Sequence, residues 1–97
     1  MNAAIVEDDL DLSLENLSRS CGCDVEWLIE LVHEGVLEPQ GSAAQEWRFA
    51  GASLRRARVA AHLKRDLRLN APGVALALDL LDEIHALRLQ AKFGAAP

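Results

Sequence analysis

Residues 13–35 divide into two short segments with helical spacing, separated by a glycine. The apolar positions recur every three or four residues: Leu14, Leu17 and Cys21 in the first segment, then Leu28, Leu31 and Val32 in the second. Ser13 can cap the first helix, and Gly22 can end it in a left-handed conformation. Asp24 is suited to cap the second helix, which Gly35 ends. Two short helices joined by a glycine-containing turn predict a helix-turn-helix module.

The segment after the second helix, residues 36–49, is predicted to form a wing. The residues that break regular structure there are Pro39, Gly41 and Ser42. Strand-like alternation occurs twice, at Trp47, Arg48 and Phe49 within the wing and at Leu10, Leu12 and Leu14 ahead of the first helix. Because alternate residues of a strand share a face, we expect Trp47 and Phe49 to point toward the core.

Two longer helices are predicted in the second half of the chain. Ser53 can cap the first of them, which should run for roughly sixteen residues through Leu67 to Leu69. Asn70 can cap the last helix, and Pro72 stands in its first turn, where a missing N–H costs little.

The last helix is apolar over more of its circumference than one neighbour can cover. The apolar stripe through Val74, Leu78 and Leu81 is widened by Leu76, Ala77 and Leu80. A helix of this kind packs on two sides, so we predict a homodimer interface formed by Val74, Leu78, Leu81 and His85. The alternative is a core that lies wholly within one chain.

These elements predict a mainly α fold: a winged helix-turn-helix followed by two longer C-terminal helices in a single compact domain. We assign residues 1–9 to an acidic flexible N-terminus, residues 10–50 to the winged module and residues 51–97 to the helical pair. No segment approaches the roughly 20 apolar residues of a membrane-spanning helix, and no signal-peptide pattern is present. We therefore expect a cytoplasmic protein that does not bind membranes.

Charge divides the chain into an acidic first half and a basic second half. Residues 1–46 contain eleven acids and a single base, Arg19, whereas residues 47–97 contain four acids and nine bases. A surface that binds duplex DNA needs Lys and Arg facing the phosphates, so an acidic helix-turn-helix argues against nucleic acid as its partner. The sequence instead indicates a cationic partner, and we expect that partner to be another protein.

Three glutamates, Glu26, Glu30 and Glu34, lie four residues apart on the second helix and form what we call the acidic ridge. Like charges at this spacing lower helix stability, so the ridge is either a partner-binding surface or an ordinary solvated face. Trp27 lies beside the ridge. It is either an exposed interface anchor or a residue packed under the wing. We predict that Glu26, Trp27, Glu30 and Glu34 bind the partner.

The other charged clusters have simpler interpretations. A second acidic cluster on the last helix comprises Asp79, Asp82 and Glu83, and we expect it to pair with Arg65, Arg68 or Arg88, either within the molecule or across a dimer. The third helix is basic, and we expect its cations to balance the acidic half, with an anionic ligand as the alternative.

The residues with reactive side chains do not form a recognisable chemical site. Cys21 and Cys23 are the only cysteines, and with His33 as the one nearby ligand they are too few for a typical zinc site. We expect two small buried residues at a turn, with a redox or metal sensor as the alternative. No nucleophile–base arrangement or phosphate-binding loop is present, so we predict a protein that is not an enzyme and needs no cofactor.

From Leu12 to Arg88 the order of motifs is more specific than a helix-turn-helix alone. After the second helix comes Gly35-Val36-Leu37-Glu38-Pro39, and the wing ends in Trp47-Arg48-Phe49. The last helix opens with Leu67-Arg68-Leu69-Asn70-Ala71-Pro72-Gly73 and continues through Leu80-Leu81-Asp82-Glu83-Ile84. In these features the chain resembles the CbpM family of chaperone modulators, within the MerR-like winged-helix group.

The resemblance implies a protein partner. CbpM proteins bind the J-domain of a DnaJ-like co-chaperone, CbpA, and inhibit both its work with DnaK and its DNA binding. J-domains have a basic second helix that docks on DnaK, and an acidic surface would compete for that helix. The alternative function is a MerR-like transcriptional regulator that binds DNA as a dimer.

Overall fold

The computed structural model describes residues 10–94, so the predicted flexible segment 1–9 lies outside the described residues. The described chain forms four α-helices, α1 (Leu14–Cys21), α2 (Val25–His33), α3 (Gly51–Leu67) and α4 (Ala71–Phe93), with a short 3-10 turn at Ala44–Glu46. Helix α1 packs against α2 and α3, and α4 packs against the same two helices. The prediction of a mainly α fold is confirmed.

Local capping sets most of the helix boundaries. The Ser13 hydroxyl accepts a hydrogen bond from the Asn16 N–H at 3.1 Å, and the Asn70 amide oxygen accepts one from the Gly73 N–H at 2.9 Å. Gly22 follows α1 at φ +69°, a conformation that favours glycine. These predicted caps are confirmed. Each depends only on residues within one turn, which is why the sequence could predict it.

The predicted start of α3 is wrong. Ala50, not Ser53, is the N-cap, and its side chain makes no capping hydrogen bond. The Ser53 N–H instead donates to the Ala50 carbonyl at 3.0 Å, inside the first turn. Gly51 is buried, so the chain enters the helix as soon as it leaves the core residue Phe49, and this packing overrides the local preference for serine at the cap.

The core draws on every helix and on the wing. The largest fully buried side chains are Phe49, Leu17, Leu28, Leu31, Leu37 and Val74. Phe49 is also paired through its backbone with Leu12, with N···O distances of 2.7 and 2.8 Å. Trp47 is half-buried and meets the Phe49 ring edge to face, with ring centroids 6.2 Å apart. The core side predicted for Phe49 is therefore confirmed.

The predicted strands exist only as isolated bridges within residues 10–94. Leu12 pairs with Phe49, and Gln40 pairs with Arg48 through two hydrogen bonds of 2.9 Å. The 3-10 turn and Gly41, at φ +106°, form the chain between Gln40 and Arg48, so that ladder ends after one pair. The wing is thus a pinned loop rather than a strand pair.

Helix α4 is buried only over its first two turns. Val74 is completely buried and Leu78 is 4 % exposed, whereas every described residue from 79 to 94 is exposed. The predicted dimer interface is therefore wrong at Val74 and Leu78, which pack inside the chain's own core. Leu81 and His85 are exposed, and their place in a dimer interface stays a prediction.

Candidate partner-binding surface

The acidic ridge is exposed along one side of α2. Glu26 and Glu30 lie within the helix, and Glu34 is its C-cap residue. None of the three forms an ion pair within residues 10–94, although other carboxylates there do, namely Asp11, Asp66 and Asp82. The ridge therefore presents negative charge that the described part of the fold does not compensate.

The two ends of the acidic ridge lie at opposite ends of the α2 dipole. Glu26 lies in the first turn of α2, where the positive end of the helix dipole stabilises a carboxylate. Glu30 and Glu34 lie at the opposite end, beside backbone carbonyls that are themselves negative. These two acids cost helix stability by a few tenths of a kcal/mol each. A cationic partner at this end would relieve that cost.

Trp27 is a core residue, so its prediction as an exposed anchor is wrong. Its side chain is 6 % exposed and packs within the core cluster. The Nζ atom of Lys64 on α3 lies 4.6 Å from the Trp27 ring centroid, in a cation–π contact. The indole Nε1 is buried and has no hydrogen-bond partner in the described part of the chain. Trp27 therefore packs α2 against the core.

Sequence reasoning missed Ile29 as the apolar residue of this surface. At 100° per residue, Ile29 and His33 flank the acidic ridge on the side away from Trp27. Ile29 is partly buried against the core, and His33 is exposed. The sequence did contain a signal for this surface: Ile29 and His33 are four residues apart, which places them one helical turn apart beside the glutamates. The surface thus combines carboxylates with one fixed apolar side chain.

The predicted second acidic cluster is partly engaged within the fold, but not with the predicted arginines. Asp82 on α4 pairs with Arg56 on α3 at 3.1 Å, and Arg56 also donates to the Val36 carbonyl at 3.0 Å. Within residues 10–94, Asp82 therefore pairs with Arg56 and not with Arg65, Arg68 or Arg88. Arg56, which lies on α3, thereby links the segment after α2 to α4.

The wing's arginine is also engaged. Arg48 Nε lies 3.0 Å from a carboxylate oxygen of Asp11, and Arg48 Nη2 donates to the Asp11 carbonyl at 2.8 Å. The one cation available on the predicted DNA-facing elements is therefore held against the lead-in segment. Exposed pairs of this kind contribute little stability, on the order of 1 kcal/mol or less.

Cys21 and Cys23 are half-buried at the turn between α1 and α2, beside a cavity of about 320 Å³ that Lys64 and Arg65 also line. Burial, and then a hydrogen bond with Cys21, raise the pKa of the Cys23 thiol from 9.0 to about 12. A thiol with a raised pKa is a poor nucleophile and a poor redox sensor. The structure therefore favours the interpretation of small residues packed at a turn.

We expect the Cys23 thiol to react slowly while the protein is folded. In the wild-type protein, alkylation of Cys23 by iodoacetamide at pH 8, followed by peptide mass spectrometry, should be at least about tenfold slower in buffer than in denaturant, because little thiolate forms in the fold. The unfolded thiol ionises above pH 9.0 and the folded thiol near 12, so this group lowers the free energy of unfolding as pH rises through that range. Equal alkylation rates in the two states would contradict the assignment.

Within residues 10–94, no group of three or more His, Cys, Asp or Glu side chains is placed to hold a metal ion, so Cys21, Cys23 and His33 do not form such a group. In the same part of the chain, none of the helices combines the length and apolar character that crossing a membrane requires.

Comparison with known proteins gives a consistent result. The model of the family described as MerR HTH family regulatory protein matches residues 12–92. Chaperone modulatory protein CbpM of Coxiella burnetii is 42% identical over 83 residues, which is 86% of this chain and 78% of the relative. The CbpM of Pseudomonas entomophila is 38% identical over 82 residues, and that of Pseudomonas putida is 37% identical over 79 residues; each alignment covers 81% of this chain and 78% of the relative. The chain belongs to the CbpM family of MerR-like helix-turn-helix proteins.

Proposed function

We propose that this protein is a non-enzymatic chaperone modulator that binds the J-domain of a DnaJ-like co-chaperone. Its relatives carry the name chaperone modulatory protein. The observation that carries the proposal is the acidic ridge on α2, whose carboxylates are exposed and have no ion-pair partner within residues 10–94. By covering the basic J-domain helix, the modulator would inhibit the co-chaperone's work with DnaK and its DNA binding.

Charge complementarity supports the ridge as the contact surface. A row of carboxylates facing a basic helix speeds encounter and selects against acidic partners. In a DNA-binding helix-turn-helix, the second helix is the recognition helix, and residues at the positions of these three glutamates would face DNA. The glutamates at those positions repel phosphate. The ridge therefore fits a cationic protein better than a nucleic acid.

An apolar contact is needed as well, because exposed charge pairs tune association rate more than affinity. Ile29 is the suitable residue, since it lies beside the acidic ridge and is already held against the core. Its partial burial means that little side-chain entropy is lost when a partner covers it. Trp27 beneath α2 keeps the helix in place and makes no direct contact in this proposal.

Calorimetric titration with the J-domain of a co-chaperone from the same cell tests the proposal. We expect saturable binding whose affinity falls as ionic strength rises, because salt screens exposed charges beyond about 10 Å at 0.1 M. Addition of the modulator should also reduce co-chaperone stimulation of DnaK ATPase activity. Absence of binding at low and at high salt would overturn the proposal.

The second candidate function is a DNA-binding regulator, which the matched family description favours. Arg48 would have to leave Asp11 to meet a phosphate, and α2 offers acids where a reading helix needs cations. A steep, salt-dependent shift of duplex DNA at moderate protein concentration would support this candidate over the first.

We also propose that the protein acts as a homodimer through α4. Large apolar residues, Leu76, Leu80, Leu81, Ile84, Leu87, Leu89 and Phe93, are between 44 % and 73 % exposed on this one helix. Soluble monomers rarely carry such a concentration of exposed apolar surface. Localisation in the cytoplasm is part of the same proposal, because DnaK-type chaperones work there.

A further inference from the structure

A groove of about 430 Å³ lies between α3 and α4, away from the acidic ridge, and we call it the α3–α4 groove. Its apolar lining includes Val59 of α3 and Leu81 of α4, and two cations of α3, Arg55 and Arg56, also line it. Val59 is 44 % and Leu81 47 % exposed, so the described part of the fold leaves apolar surface uncovered here. A segment that fills the groove therefore has to combine apolar side chains with acids.

We propose that the chain's own residues 5–9 bind in the α3–α4 groove. These five residues precede the described part of the chain, and their sequence is Ile5-Val6-Glu7-Asp8-Asp9. Two apolar side chains are thus followed at once by three acids. The segment carries the two kinds of side chain that match the lining of the groove.

The fold directs the preceding chain toward α3. Leu12 and Phe49 form an antiparallel bridge, so the chain before Leu12 runs in the same direction as the chain after Phe49. The chain after Phe49 passes through Ala50 directly into α3. Residues 5–9 therefore leave the bridge alongside the first turns of that helix.

The distance to the groove is within reach of these five residues. Leu10 and Ala50 line one cavity, Ala50 and Arg56 line a second, and Arg56 also lines the α3–α4 groove, so the surface is continuous. Val59 lies about 14 Å beyond Ala50 along α3, at 1.5 Å per helical residue. Five extended residues span about 17 Å, enough to bring the apolar end of the segment to Val59.

The order of charges along this path also agrees with the segment. The acids at residues 7–9 would come first, beside the start of α3, where the helix dipole is positive. Ala50 provides no side-chain cap there, and the first turn contains no acid of its own. Arg55 and Arg56 follow one turn later. The one acid that lines the α3–α4 groove, Asp82, already pairs with Arg56 at 3.1 Å.

Covalent attachment favours this segment over a separate partner. A short tether holds a segment at an effective concentration on the order of millimolar, so weak contacts are enough to keep it bound. Exposed charge pairs are individually weak, and the groove offers only two exposed apolar side chains, Val59 and Leu81. A separate protein would need a larger contact area than this to bind stably.

Binding of residues 5–9 would give the basic face of α3 an anionic ligand from within the chain. The α3–α4 groove is lined by α3 and α4 and by no residue of α2, so the acidic ridge would stay exposed. Occupation of the groove therefore does not depend on J-domain binding, and either can fail without the other.

The experiment is methyl NMR on the full-length, isotope-labelled protein without any partner. We expect nuclear Overhauser effects between the methyl groups of Ile5 or Val6 and those of Val59 or Leu81. An equal mixture of labelled and unlabelled protein shows whether the contacts form within one chain, because isotope-filtered spectra detect only contacts between copies. Filtered spectra should contain none of these signals.

The test variant is Glu7→Lys with Asp8→Lys, which keeps both apolar residues but places cations beside Arg55 and Arg56. We expect it to lose the contacts to Val59 and Leu81 and to shift the backbone amides of residues 52–59. The matched control, Glu15→Lys with Glu46→Lys, has the same net charge and exposed positions in α1 and in the 3-10 turn. It should retain the contacts.

Three results would overturn the proposal. The first is a wild-type spectrum without contacts between residues 5–9 and the α3–α4 groove, including one in which added J-domain shifts residues 52–59 instead. The second is contacts that appear in the filtered spectrum, because a second copy would then fill the groove. The third is equal loss of the contacts in both variants, which would reduce the effect to net charge.

Discussion

Replacement of Phe49 by alanine is expected to remove most of the stability of the fold. Phe49 is fully buried, and its ring contacts Trp47 while its backbone pairs with Leu12. Deletion of a buried phenylalanine ring costs about 3–5 kcal/mol through lost burial and the cavity that remains. Domains are stable by only about 5–15 kcal/mol in total, so the Phe49→Ala protein should be close to unfolding at 25 °C.

Urea denaturation, followed by circular dichroism at one fixed protein concentration, measures this cost. The concentration must be matched because association would add to apparent stability. Phe93→Ala is the control, since that ring is 73 % exposed and its loss should change the free energy of unfolding by less than about 0.5 kcal/mol. A cost below about 1 kcal/mol for Phe49→Ala would show that the wing is not part of the core.

Charge reversal of Glu26 and Glu30 to lysine is expected to weaken J-domain binding at least tenfold at low salt, or about 1.4 kcal/mol. Each substitution replaces attraction toward the basic helix with repulsion. Neither carboxylate has an ion-pair partner within residues 10–94, so the fold should persist. Calorimetry at two salt concentrations measures the change, and the difference from wild type should shrink at high salt.

The control for this variant is Glu15→Lys with Glu46→Lys. Both residues are exposed, and both lie outside α2. The two double variants carry the same net charge, so a general electrostatic effect would weaken both equally. We expect the control to bind within about threefold of wild type, since single rim charges contribute little. Equal loss in both variants would remove the acidic ridge from the contact surface.

Local interactions made much of this fold predictable. The Ser13 and Asn70 caps and the left-handed Gly22 depend on hydrogen bonds and sterics within one turn, so sequence alone identified them. The start of α3 was not predictable in this way, because burial of Gly51 beside Phe49 is a tertiary effect. The prediction of a strand pair in the wing was wrong for a related reason: pairing needs two aligned segments, and residues 10–94 contain only single bridges.

Some features of the candidate site could likewise be predicted from the sequence, and others could not. The acidic ridge follows from four-residue spacing, and its exposure agrees with that expectation. Trp27 could not be assigned from spacing, because its burial depends on how the other elements of the core pack against α2. On α4, a heptad stripe through Val74 and Leu78 overlaps in sequence with one through Leu80 and Ile84, and only the position of the core distinguishes the buried stripe from the exposed one.

The central claim, that α2 is the partner-binding surface, is tested most directly by NMR. Backbone amide shifts of the isotope-labelled protein would be followed as unlabelled J-domain is added. We predict the largest changes at residues 26–34, centred on the acidic ridge and Ile29, with smaller changes along the rest of α4 beyond residue 79. Changes confined to the wing or α4, with none in α2, would contradict the account.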